Sequence, residues 1–123
     1  MKLDVQISGL TNLRNRFDRL PEKSKKLVRD ALMKAGYLVE GASKRETPVD
    51  TGRLRASISV SSSLLLRAEP HVVISPHTKY AQYVHQGTRR MTGRPFMTRG
   101  YEISKAKIRG IMKALLKDIK NSL

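Results

Sequence analysis

The chain has 123 residues, of which 39% are hydrophobic and 5% aromatic, with neither Trp nor Cys. That composition describes one domain with an aliphatic core, and it excludes a disulfide scaffold and any thiolate metal site. Lys plus Arg number 25 against 10 Asp plus Glu, a net charge of +15, which implies polyanionic or acidic partners and carries no information about fold.

The excess is uneven. Residues 1–50 carry 11 basic and 7 acidic side chains (+4), residues 51–86 carry 4 and 1 (+3), and residues 87–123 carry 10 and 2 (+8). The apolar runs Leu64–Leu66 and Val72–Ile74 are far too short to span a bilayer. Met1–Val5 alternates and does not read as a signal peptide.

In chain order, Leu3, Val5 and Ile7 alternate with polar residues, the period-two mark of a half-buried strand. Leu10, Leu13, Phe17 and Leu20 then fall at helical spacing and predict a short amphipathic helix. From Pro21 to about Glu46 the stripe Leu27, Val28, Ala31, Leu32, Ala35, Leu38, Val39 and Ala42 predicts a helix roughly 39 Å long. Gly36 and Gly41 inside it mark close packing against a sheet or a bend. Pro48 ends the helix.

Beyond the break, Leu54, Ala56, Ile58 and Val60 alternate with Arg53, Arg55, Ser57 and Ser59, predicting a strand with one apolar and one basic, hydroxyl-rich face. Val72–Ile74, flanked by Pro70 and Pro76, reads as an edge strand. Tyr80–Gln86 fits either a strand or a helical turn, and the polar, glycine-flanked stretch Gly87–Gly93 reads as a loop. A last helix runs from Pro95 to near Asn121, with Ile108, Ile111, Met112, Leu115 and Ile119 inward. The order predicts a single α+β domain over residues 1–123: a small, mostly antiparallel sheet packed by two long helices and one short N-terminal helix.

Asp50-Thr51-Gly52 is the triplet that carries the catalytic carboxylate of aspartic proteases. A protease dyad shares one proton between two acids, whereas Arg53 and Arg55 directly after the triplet would hold Asp50 ionised. A corner explains every position instead: Asp50 accepts backbone N–H bonds, Gly52 supplies a positive φ, and Leu54 begins the strand. His71, His77 and His85 have no ligand spacing and no carboxylate cluster beside them. Tyr80, Tyr83, His85, Arg89, Arg90 and Arg94 lie within fifteen residues. They admit a metal-free ribonuclease reading, with His85 or a tyrosine as acid or base and arginines stabilising the transition state. A solvated basic loop beside buried tyrosines explains the same residues. A non-specific DNA-binding protein is the third possibility, since neither a recognition helix nor stacking positions stand out.

Three segments taken together, TPVDTGRLRASI (Thr47–Ile58), KYAQYVHQGT (Lys79–Thr88) and GRPFM (Gly93–Met97), resemble the tail-component family of long-tailed bacteriophages. Pro48, Asp50, Thr51, Gly52 and Leu54 match that family's corner. Tyr80, Ala81, Tyr83, Val84, Gly87 and Thr88 match its second segment, and Arg94, Pro95 and Phe96 its third. His85 stands where the family usually shows Glu. The resemblance implies no catalytic residues and no cofactor or metal. It implies a virion protein: one subunit of a ring, sixfold in expectation, between the head connector or stopper and the tail terminator or tail tube. Genomic DNA would pass through the lumen. Arg53, Arg55, His85, Arg89, Arg90 and Arg94 are then candidates for contact with a neighbouring subunit or with that DNA.

Overall fold

A computed structural model describes residues 3–4, 19–49, 52–66 and 70–122. In chain order the elements are β1 (Leu3–Asp4), α1 (Glu22–Glu46), α2 (Arg53–Ser57), β2 (Ser59–Ser61), β3 (Val73–Ser75), α3 (Ala81–Gln86), β4 (Gly87–Thr88), β5 (Met91–Thr92) and α4 (Phe96–Ser122). The α+β expectation holds: two long helices pack with a small antiparallel sheet. Most of the predicted short helix over Leu10–Leu20 and most of the first strand lie outside the described residues.

Helix α1 forms where the apolar stripe predicts it. Val28, Ala31, Ala35, Val39 and Ala42 are buried, and Leu27, Leu32 and Leu38 pack half-buried beside them. Pro21 precedes the first turn, where a missing N–H costs nothing. At the far end Thr47 turns extended (φ −72°, ψ 127°), its N–H bonding to the Lys44 carbonyl. The Thr47 hydroxyl donates to the Ser43 carbonyl at 2.6 Å. Pro48 disfavours continuation, so a hydroxyl back-bond and an incompatible successor close the helix together.

Helix α4 runs antiparallel to α1 and forms with it the largest interface between elements. The direction follows from two contacts: Gly100 abuts Ser43, and the Ser104 hydroxyl donates to the Leu38 carbonyl at 3.1 Å. Advancing along one helix means retreating along the other. A Cβ at Gly100 would lie 2.6 Å from the Ser43 nitrogen and 2.7 Å from its Cα, so only glycine admits this crossing. Further along, Ile108, Met112, Leu115 and Ile119 of α4 complete the buried cluster.

The sheet has the order β1-β3-β2, all antiparallel. Val60 pairs with Ile74, and Leu3 with Ile74 on its other side. Strand β3 is therefore central, not an edge. Pro70 and Pro76 flank it but stand outside the laddered residues Val73–Ser75, which is why they do not interrupt the pairing. Helix α1 rests on this sheet at Gly36, where an added Cβ would come within 2.7 Å of Val72 Cγ1 and 3.0 Å of Val60 Cγ1. The close packing expected of Gly36 is present.

The predicted strand from Leu54 is corrected to a helical turn, with the strand beginning only at Ser59. Leu54 and Ile58 are buried, and a spacing of four satisfies a period of 2 and a period of 3.6 equally. The residue that separates the two is Ala56, which is exposed. The Ser57 hydroxyl then back-bonds to the Leu54 carbonyl at 2.7 Å, and the chain enters β2.

Candidate interaction surface

Three stretches distant in the chain converge on one groove of about 670 Å³. One wall is the corner after α1: Pro48, Val49, Gly52, Arg53 and Leu54. The other comes from the second segment (Tyr80, Val84), the third (Arg94) and Met91 between them.

The corner wall is built from local conformational demands. Gly52 has φ +79°, the left-handed region that residues with a Cβ rarely occupy, so the positive φ expected there is found. Its carbonyl accepts the Ala56 N–H at 3.0 Å, starting α2. The Arg55 guanidinium donates to the Thr47 carbonyl at 3.4 Å and ties α2 back to the end of α1. Asp50 and Thr51, the other two residues of the triplet, lie outside the described residues.

The opposite wall is a helical turn locked to a hairpin. The ambiguous segment Tyr80–Gln86 is helical from Ala81, with Ala81 buried. It ends at Gly87, whose φ of +88° frees the chain to reverse. The stretch expected as a loop is instead a two-stranded hairpin, Gly87 pairing with Thr92 and Thr88 with Met91, which leaves Arg89 and Arg90 at the tip. The hairpin closes because two glycine backbones meet. A Cβ on Gly93 would lie 2.6 Å from the Gln86 carbonyl, and one on Gly87 would lie 2.5 Å from the Gly93 nitrogen. The Arg94 N–H then donates to the Val84 carbonyl at 2.8 Å, and after Pro95 the chain enters α4 with Phe96 and Met97 fully buried.

His85 sits on the far side of this turn. Its ring meets Phe96 edge-to-face, centroids 5.6 Å apart and planes at 79°, and its Nε2 is 3.3 Å from the Thr98 hydroxyl. Partial burial lowers its pKa below the ordinary histidine value by penalising the charged imidazolium. His85 thus joins the second segment to the third, and it does not line the groove. The basic–aromatic cluster that admitted a ribonuclease is split: Tyr80 and Arg94 face the groove, His85 faces Phe96 and Thr98, and Arg89 and Arg90 project from the hairpin tip.

One expectation about this region is corrected. The tyrosines are not buried: Tyr80 is 39% and Tyr83 54% exposed. Residues 81–92 form a helical turn followed by a hairpin. Sequence reasoning missed Val49 and Met91, both about half exposed and both on the groove. No periodicity marks them, because they meet only through the fold. The resulting surface has an apolar middle (Val49, Leu54, Val84, Met91), a tyrosine and an arginine border, the residue types enriched where proteins bind proteins.

Over residues 12–87 the chain matches the HK97-gp10-like family, described as a bacteriophage tail component. The match covers 76 of 123 residues and includes both the corner and the tyrosine-bearing turn. No curated protein and no solved structure matches the chain.

Proposed function

Because this chain belongs to the HK97-gp10-like family of bacteriophage tail components, we propose that it is a structural subunit of the phage neck. Copies close into a ring, sixfold in our reading, between the head connector and the tail tube, and the ring joins heads to tails. The observation that carries this reading is the groove. One wall, Pro48 to Leu54, and the Tyr80 and Val84 half of the other come from the matched region, while Met91 and Arg94 lie just beyond it, and the groove presents Val49, Tyr80 and Met91 to solvent. In a ring, a patch on one subunit meets a different patch on the next, and rotation closes the set. A groove of this composition supplies one of those two patches. Arg53 and Arg94 line it, and together with Arg55 on α2 and Arg89 and Arg90 at the hairpin tip they select a neighbour with an acidic edge.

Complementation of a phage lacking this gene tests the reading. Met91→Asp, or Arg89, Arg90 and Arg94 changed together to Ala, should yield filled heads and free tails, side by side in electron micrographs. A normal yield of joined particles from both variants, with the proteins present in those particles, would defeat the proposal.

A further inference from the structure

Helix α4 sorts its charges. At 100° per residue, Arg99, Lys105, Arg109, Lys113, Lys117 and Lys120 fall within one sector of about 120°, with Glu102 the one acid among them. Four of these, Lys105, Arg109, Lys113 and Lys117, form an unbroken i,i+4 row about 18 Å long. The neighbouring exposed sector carries Ile103, Gly110, Ala114 and Asn121, and its two charges, Lys107 and Asp118, are opposite in sign. Charges that serve only solubility would give both sectors a similar balance. The excess positive charge of α4 lies instead on one flank.

The row works against the isolated helix, because like charges at i,i+4 repel. Lys105 has partial relief from Glu102 at 4.0 Å. Among the described residues, Arg109, Lys113 and Lys117 have no ion-pair partner, and all three are exposed. An external polyanion removes the repulsion. A duplex offers a phosphate every ~1.7 Å of its axis, roughly ten over the length of the row, so each cation finds one without demanding a register. The sector holds neither Asn nor Gln and no aromatic ring, so it supplies charge without the bidentate adenine contact or stacking.

We propose that this flank of α4 binds the phosphate backbone of double-stranded DNA without sequence preference. The inference rests on the neck reading only for where the DNA is met, namely in the lumen. It moves DNA contact from the arginines around the groove to the last helix and leaves those arginines for protein neighbours. Neutralising four phosphates gives log K a slope of about −3.6 against log salt, a loss of ~150-fold between 50 and 200 mM.

Fluorescence anisotropy of a short labelled duplex of arbitrary sequence, titrated with the full chain at several salt concentrations, tests this independently of assembly. The expected result is sequence-blind binding with that slope. Lys113→Gln with Lys117→Gln should reduce the slope by about two, and Arg89→Gln with Arg90→Gln should leave it unchanged. A slope insensitive to the lysine pair, or no retention at low salt, would overturn the assignment. Equal competition by poly-glutamate at matched charge would overturn it in favour of an acidic protein face. A normal yield of joined particles from the groove variants, with duplex binding and its salt slope as expected, would count against the neck reading alone.

Discussion

Gly100 and Gly110 occupy the same helix, and replacing each with alanine should move stability in opposite directions. Both substitutions remove a glycine from a helix interior, which by propensity alone stabilises by about 1 kcal/mol. At Gly110 nothing lies within 4 Å of the new Cβ, so that gain is realised in full. At Gly100 the Cβ would lie 2.6–2.7 Å from backbone atoms of Ser43, where ordinary carbon contacts sit at about 3.5–4.0 Å. Backbone cannot rotate aside as a side chain can, so α1 and α4 must separate by about 1 Å at the crossing.

Overpacking of that kind costs about 1–3 kcal/mol, and a clash with backbone belongs at the top of the range. The same displacement stretches the Ser104 hydroxyl bond to the Leu38 carbonyl, 3.1 Å in the native chain, beyond bonding distance, at about 0.5–1 kcal/mol. Against the propensity gain, the net loss is ~2–3 kcal/mol. For a domain of this size that lowers Tm by roughly 8–12 °C, while Gly110→Ala raises it by about 4 °C. Thermal and urea unfolding followed by far-ultraviolet circular dichroism measures both. If Gly100→Ala proves as stable as the parent, the helices do not approach as closely as Ser43 and Gly100 indicate, and the packing account of α4 fails.

Gly93→Ala should loosen the hairpin rather than the whole domain, since its Cβ meets Gln86 and Gly87 backbone at a cost of about 1–3 kcal/mol; limited proteolysis should cut near residues 87–94 while the helical signal persists. His85 titrates with its folded pKa below its unfolded one. The unfolded chain therefore binds more protons near pH 6.5, and the contribution is fully present above that value and lost as pH falls through the folded pKa. The urea midpoint of the parent should drop more steeply across that window than that of His85→Gln, and parallel curves would contradict the burial of the ring against Phe96.

Periodicity carries far in this chain because both long helices bury a stripe that no other element could bury. Val28 to Ala42 and Ile108 to Ile119 repeat at 3.6 over several turns, and nearly all the charged residues of both helices lie off those stripes, so the assignment has no competitor. It fails where an element is too short to complete two repeats of its own period. Leu54 and Ile58 satisfy strand and helix alike, and the exposure of Ala56 decides between them. Strand β3 shows the same limit in another form: three apolar residues between prolines establish that a strand exists, while its central place depends on β1 and β2 both reaching it.

The amino-acid sequence by itself determined the local punctuation: the stop at Pro48, the positive φ at Gly52, and the basic last third. These are steric and electrostatic properties of single residues and their immediate neighbours, so they survive in any fold the chain adopts. Only tertiary structure decided that the corner, the tyrosine turn and Arg94 share one groove, that His85 faces Phe96 instead, and that Tyr80 and Tyr83 reach solvent. Those outcomes hang on the register of α4 against α1, set where the Gly100 backbone meets Ser43. A contact between residues 57 positions apart leaves no mark in the pattern of either helix.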